Sequence, residues 1–497
     1  MTQPDFDIAI VGFGPSGAVA AALLGQAGHR VFVCDRSTEV YAQPRAIALD
    51  HEVMRTFQQL GVADAVLPHT EPFTDSCYHG VDGQLIRRMT MVAPPYPQAW
   101  TPSLVFTQPA VERELRAAVA RLPDVQIALG TEVVGLAQDA ECVRLQFAGG
   151  RSVSARYAIG CDGASSRVRS LADLPLRDLG FDEPWLVVDV LVNERGLARL
   201  PATSVQYCEP QRPCTYVIGP GRHRRWEISL RPGEDPRQAA TPAGTWALLQ
   251  RWITPADGTL WRQASYRFHA LVAERWRDRR VFIAGDAAHQ QPPFLGQGMC
   301  QGVRDVVNLA WKLDAVLRGA AGNRLLDSYG QERQAHVREL TTRLKAVGAV
   351  IGERDLQRAR ERDRRLLAEA GGRVQPTPRQ DLLPRLEQGA LAEAPGSARG
   401  TLFPQPWLHE AGLRVRMDDV HGGGWRLVWR DRAAPLAARP WLRVLDQLSD
   451  ADGVLPAWFD GHACEAALLR PDHHVFGTAA HAGEVEALLA EAAAWMH

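Results

Sequence analysis

Three short turns in this 497-residue chain join glycine to an acid or to a helix start, a combination that lets backbone N–H groups close on a nucleotide. The first is Gly12-Phe13-Gly14-Pro15-Ser16-Gly17. Its glycines offer a tight turn, room for a pyrophosphate and close packing of helix on strand, and Asp35, 18 residues beyond Gly17, is placed to bond ribose hydroxyls. FAD and NAD fit this fingerprint equally. The second turn, Cys161-Asp162-Gly163-Ala164-Ser165-Ser166-Arg167-Val168-Arg169, offers a carboxylate for a ribose or ribityl hydroxyl and two arginines for phosphates. Asp-Gly is also among the commonest turn pairs. The third runs from Gly285-Asp286 to Gly296-Gln297-Gly298-Met299 and enters a helical pattern. A helix start there would present partial positive charge to a ring that becomes negative on reduction, although an αβ connection with incidental glycines reads the same way.

Each turn needs a strand before it. Residues 6–11 (FDIAIV) form an apolar strand, a helix rich in small residues follows, and a second strand from Val31 to Cys34 closes on Asp35 and Arg36. Val281 to Ala284 supply the strand before the third turn, and Val303, Val306, Val307, Ala310, Leu313 and Leu317 share one face of the helix after it. Arg45 precedes a helix with Val53, Met54, Phe57 and Leu60 on its apolar side; it could bridge a pyrophosphate, approach a ring, or serve as a surface residue. Gln108 stands before Pro109 at the entry of another helix, as a cofactor contact or a plain cap. From Trp185 to His269 the period changes to two, in LVVDVLVN, TSVQYC, CTYVIG, RWEISLR and SYRFH, which predicts an antiparallel sheet with one face free to cover a planar ligand.

These patterns divide the chain into a Rossmann-like dinucleotide-binding part over 1–184, a sheet domain over 185–275, a return to the first domain with a charged helical segment over 276–370, a Pro/Gly/Ala-rich linker over 371–400, and a small α/β unit over 401–497. In that last unit, strands fit at 425–429, 441–445 and 473–476 and a helix at 482–495. The net charge of −1 points to neither nucleic acid nor an anionic membrane, and no apolar run reaches the length of a membrane span. Eight scattered cysteines without a C-x-x-C pair read as reduced thiols, and no metal site is indicated. With no secretory leader in the first residues, the expected location is the cytoplasm.

Taken together the motifs resemble those of the class A flavoprotein aromatic hydroxylases of the p-hydroxybenzoate hydroxylase fold, most closely the 3-(3-hydroxyphenyl)propionate hydroxylases. The resemblance is carried by GFGPSG (12–17), PRAIALD (44–50), LPHT (67–70), TQP (107–109), CDGASSRVR (161–169), GDAAH (285–289), GQGMCQGVRDVVNLAWKL (296–313) and RPD (470–472), and covers nearly the whole chain. It implies FAD as cofactor, held by Gly12, Gly14, Pro15, Ser16, Gly17, Asp35 and Arg36 at the ADP end. Arg45, Gln108, Asp162, Gly285 and Asp286 would contact the remainder, and Pro293, Gly296, Gln297, Gly298 and Met299 would flank the isoalloxazine. NADH or NADPH would dock transiently, O₂ would be the oxidant, and a flavin C4a-hydroperoxide would hydroxylate a phenol ortho to its hydroxyl. Asp35 stands where glutamate is frequent in the family, and Cys300 where asparagine is common.

Pro293, Tyr207 and His289 are the catalytic candidates, with His269 and Asp50 as further groups that could favour the phenol anion; Arg212, Arg224 or Arg225 could pair with a substrate carboxylate. The implied substrate is 3-(3-hydroxyphenyl)propionate or 3-hydroxycinnamate. Alternatives are another phenol or a polycyclic aromatic, a flavin reductase or dehydrogenase that inserts no oxygen, and a flavin-carrying interaction protein. A homodimer is left open. The tail resembles the thioredoxin-like tail of these hydroxylases, with Cys464 alone and no dithiol.

Overall fold

The computed structural model describes residues 3–431 and 436–496. Strand Phe6–Val11 lies in the middle of a parallel sheet, flanked by Val31–Asp35 on one side and Ser152–Gly160 on the other; Val281–Ile283 pairs beyond the latter and Val125–Leu129 beyond the former. Val11 is level with Cys34 and Gly160, and Gly160 with Ile283, so the three glycine turns leave one edge of the sheet side by side. This is the carboxyl edge, where open α/β sheets bind ligands. Helix Pro15–Gln26 has a near-continuous buried run of Gly17 to Ala22, small enough for helix Gly298–Leu317 to pack directly against it.

Among the described residues a second sheet has nine strands, in the order 289–290, 258–273, 176–192, 223–229, 214–218, 204–207, 76–79, 85–90 and 376–378. The sequence pattern placed this sheet within 185–275. The structure adds Ser76–His79 and Leu85–Thr90 from the first part of the chain and Pro376–Pro378 from the stretch read as a linker. Strands of four, six and three residues, the last bounded by prolines, carry too few alternations to be recognised locally. One face of the sheet buries Tyr216, Trp226 and Ile228 under helix Pro242–Leu249 and its neighbours. The other faces the nucleotide domain.

The tail has a four-stranded sheet in the order 442–446, 425–429, 466–469, 475–479, with the first two parallel and the third antiparallel to its neighbours, the thioredoxin-like arrangement, closed by helix Ala482–Ala493. Two buried ionic clusters fasten it to the rest. Arg55 donates to Asp418 at 2.6 Å and to the Phe403 carbonyl, and Arg426 donates to the same carboxylate. Burial would raise Asp418, but Arg55, His473 and Arg426 prevail and hold it well below the carboxylate range. In the second cluster Glu332 pairs with Lys312 at 2.8 Å and Arg470 at 2.7 Å, while Arg470 also grips Asp472. Burial opposes ionisation of Glu332 too, but Arg470 and Lys312 outweigh it and bring the carboxyl down to about 2.

Because the folded carboxyl titrates below the ordinary 4.5, its stabilisation is complete above that pH and is lost as pH falls toward 2. Glu332→Gln leaves two buried cations short of a partner and should lower the unfolding free energy by about 3–5 kcal/mol at neutral pH. Its urea midpoint should also vary less with acid than the parent's. Equal midpoints for the two proteins at neutral pH would show that the cluster carries no net stability.

Candidate active site

The turns meet at backbone distance. A Cβ at Gly12, whose φ is +99°, would collide with the Cys161 carbonyl, and one at Gly17 with the Gly12 carbonyl. Further along, a Cβ at Gly285 would lie 2.9 Å from the Ser16 hydroxyl, and one at Gly302 would collide with that hydroxyl. Side-chain bonds finish the junction: Arg169 donates to the Ala287 carbonyl at 2.9 Å and Gln290 to the Ala164 carbonyl at 3.1 Å. Behind it, buried Asp305 accepts from Gly285 N–H at 2.9 Å, bonds His289 Nε2 at 2.8 Å and pairs with Arg333. Trp276 stacks on the His289 ring at 5.4 Å.

In front of the junction lies a cleft of about 410 Å³. Gly14, Pro15, Ser16, Arg45, Gln108, Gly285, Asp286, Pro293, Gly296, Gly298 and Met299 line it, as do His269 and His289. Cys161, Gly163 and Ala164 bring in the second turn. Two features fit a dinucleotide that ends in a ring. A Cβ at Gly14 or Gly298 would meet no protein atom, so the backbone is bare toward the cleft at both. Both residues also begin helices that have no side-chain cap, leaving first-turn N–H groups free for a ligand. FAD fits this cradle, in which Gly14 would hold its phosphates and Gly296 to Met299 its ring.

Asp35, Arg36, Asp162 and Gln297 are not among the residues that line the cleft, whereas Gln108 is. Asp35 accepts from Phe13 N–H at 2.7 Å and Ser37 N–H at 2.8 Å, bracing the glycine turn, and Arg36 is exposed. Asp162 spends its oxygens on Ser166, Arg167 N–H and Val168 N–H, where it caps helix Arg167–Leu171. Gln297 turns its amide to Arg304, which also pairs with Asp50 and Glu52. Gln108 accepts from the N–H groups of Arg45 and Ala46, so it shapes the loop that carries Arg45.

Beside the cleft, and sharing Ile47, Glu227, Pro293 and Gly296 with it, is a partly enclosed chamber of about 40 Å³. Strand register explains its wall. Val187 is level with Glu227, Glu227 with Thr215, Thr215 with Gln206, and Gln206 with Tyr78, which makes one row across five strands. Ser76 and Arg379 extend the polar lining; Phe73, Val217, Phe294, Leu295, Val347 and Ile351 supply apolar walls. Leu295 has φ of +73°, a costly conformation for a non-glycine residue, and its carbonyl is held by Arg379 at 2.8 Å. Burial raises the Glu227 carboxyl to about 7; Arg225 and Arg262 resist that shift and Asp189 reinforces it.

Of the substrate and catalytic candidates, Pro293 alone lines both spaces. Tyr207 follows Gln206 and so points through the opposite face, packed on Trp252 and under Arg251. Arg212 is committed to Glu234 by two bonds of 2.6 and 2.7 Å, Arg224 to turn carbonyls, and Arg225 to buried Asp189. Sequence reading passed over Tyr78, Gln206, Thr215, Glu227 and Arg379. A local signal existed for one: in RWEISLR the set Arg225, Glu227, Ser229 is polar where a sheet buried on both faces would be apolar.

The cleft and the uncapped helix starts at its edge fit an FAD-dependent enzyme. A family model described as FAD binding domain matches residues 5–344, and one described as HcaD C-terminal domain matches 438–494. The chain belongs to this family of FAD-dependent aromatic hydroxylases, which use a nicotinamide nucleotide and O₂. It is 37% identical to a probable NADH-specific resorcinol 4-hydroxylase of Rhodococcus jostii (strain RHA1), over 98% of this chain and 94% of the relative. It is 34% identical to a 3-(3-hydroxy-phenyl)propionate/3-hydroxycinnamic acid hydroxylase of Mycolicibacterium gilvum (strain PYR-GCK), over 95% and 88%. Its fold superposes on the flavin-dependent monooxygenase PieE with a TM-score of 0.82 at 24% identity, covering both chains completely. No helix among the described residues is long and apolar enough to cross a membrane.

Two glycine variants separate cradle from scaffold. Gly14→Ala puts a methyl into open cleft and should leave apoprotein stability within about 0.5 kcal/mol while weakening FAD by about tenfold or more, read by flavin fluorescence titration. Gly17→Ala should instead lower the melting temperature of the apoprotein, since its methyl meets the Gly12 carbonyl.

Proposed function

We propose that the protein hydroxylates a single-ring phenol carrying a second substituent meta to its hydroxyl, at a carbon ortho to that hydroxyl, with NADH as the electron donor. The observation that carries this reading is the small polar chamber opening on the ring end of the cleft. Its alternation of Gln206, Thr215, Glu227 and Arg379 with apolar walls suits a ring with polar groups at two positions. Resorcinol and 3-(3-hydroxyphenyl)propionate, named for the two relatives, share that meta arrangement.

FAD, when bound, supplies the redox and oxygen-transfer chemistry. The chain's own residues bind, orient and dry the ring. Phe294, Val347 and Ile351 shut out water that would divert the reaction to hydrogen peroxide, and the Thr215 hydroxyl, donating to Gln206 at 2.6 Å, fixes the amide that faces the ring. Arg379 pins the Leu295 turn, which sets where Pro293 and Gly296 stand between substrate and cofactor. The eight cysteines, all free, support a reducing cytoplasmic setting.

The test is NADH and NADPH oxidation, with oxygen uptake and product analysis, across resorcinol, 3-(3-hydroxyphenyl)propionate and 3-hydroxycinnamate. At least one should raise NADH oxidation about tenfold or more and yield one hydroxylated product per NADH; oxidation without product would instead mark a reductase. Tyr207→Phe, altered on the far face, should keep turnover within about twofold. Sedimentation of the same preparation reads whether it is a homodimer.

A further inference from the structure

Two charged side chains in the chamber are left without the partners that buried charge requires. Glu227 lies at 8% exposure, yet among the described residues its side chain makes no hydrogen bond and no ion pair; it lines both chamber and cleft. Arg379, also at 8%, donates to the Leu295 carbonyl at 2.8 Å and to Ser76 at 3.4 Å and lies 4.0 Å from the Phe73 ring centroid, with no carboxylate paired to it. Elsewhere in this protein buried arginines such as Arg55, Arg225, Arg304, Arg333 and Arg470 have carboxylate partners. An unpaired buried cation and an unbonded buried carboxyl in one small cavity are costly unless a ligand completes them.

We infer that Glu227 is the base that takes the substrate's phenolic proton and that Arg379 holds the oxyanion left behind. This rests on the phenol hydroxylase reading above. The O–H bond breaks, its proton goes to a Glu227 carboxylate oxygen, and the electron pair stays on the phenol oxygen facing the guanidinium. No electrons are exchanged and the net charge of the chamber is unchanged, so the step suits a space shielded from bulk water. Since Glu227 also borders the cleft, its proton can leave by that route. The charged and titratable groups around it are consistent with a base working near neutrality. Arg225 and Arg262 lie behind it but are turned to Asp189, and Tyr78, raised to about 12, stays protonated in the same row. Free phenols resemble tyrosine with a pKa of about 10, so an acceptor and a cation are both needed to hold the anion at neutral pH.

Resorcinol and the FAD-loaded enzyme at about pH 8 provide the test; there the free phenol is protonated and Glu227 ionised. Wild type should show the ultraviolet band of a bound phenolate with no proton released to a pH indicator. Glu227→Gln should release a proton for each phenolate bound or bind resorcinol as the neutral phenol. It should also lose about 10²–10⁴-fold in resorcinol turnover and the acid limb near pH 7. Arg379→Met should bind without the phenolate band, and Arg379→Lys should restore part of it; retained flavin absorbance shows that each variant is loaded. Identical proton release and pH profiles in wild type and Glu227→Gln would overturn the assignment of the base, and a phenolate band undiminished in Arg379→Met would overturn that of the cation. Failure of resorcinol to bind wild type would instead strike at the proposed substrate class.

Discussion

Backbone-to-backbone contact between turns far apart in sequence is the constraint on which this structure rests. Gly17 touches Gly12 and Gly12 touches Cys161, backbone to backbone, so no side chain larger than hydrogen fits at either, and Gly285 and Gly302 both close on the Ser16 hydroxyl. The contact brings three strand ends to one level and leaves two helix starts bare toward a shared cleft. Everything a dinucleotide needs from the fold follows from that: free N–H groups, an open approach at Gly14 and Gly298, and Asp286 facing the space. The acids that the sequence made conspicuous mostly serve the contact itself. Asp35 braces the first turn and Asp162 caps the helix after the second, each through backbone N–H groups. Charge-assisted bonds of this kind fix a turn more firmly than neutral ones.

The second half of the site is ruled by parity. Along a strand successive side chains take opposite faces, so Gln206 belongs to the chamber and Tyr207 to the layer beneath helix Pro242–Leu249. The same rule puts Glu227 beside Thr215 while Trp226 and Ile228 form the core on the other side. A sheet of this design holds two unlike environments a few ångströms apart, one dry and aromatic, one polar and open to ligand.

That contrast explains what the sequence disclosed. The nucleotide domain was legible because its signals are local: FDIAIV, the glycine fingerprint and Asp35 lie within about thirty residues, and strand Phe6–Val11 was read with its true bounds. The period-two segments from 186 to 269 were likewise recovered as strands. Their partners were not, because pairing with Ser76–His79 or Pro376–Pro378 is decided by contacts between distant parts of the chain. Periodicity reports two faces without saying which one meets the chamber, and the structure puts Gln206 there and Tyr207 on the other face. Arg212 looked available for a substrate because nothing near it in sequence announces Glu234, and Arg379 was hidden inside a proline-rich stretch with the composition of a spacer. In the tail, strands at 425–429 and 442–446 matched expectation closely, whereas Ala466–Leu469, short and made of alanine and leucine, reads equally well as helix.

Strand Pro376–Pro378 has a bearing on how this chain could have been assembled. The thioredoxin-like unit has the outline of a detachable module, and a junction at residue 371 would look natural for acquiring or exchanging it. Yet the stretch just past that junction completes the edge of the large sheet and delivers a guanidinium to the ring chamber. On the reading proposed above, a crossover placed there would carry Arg379 over with the tail, while one placed after Leu382 would leave it beside the chamber it lines.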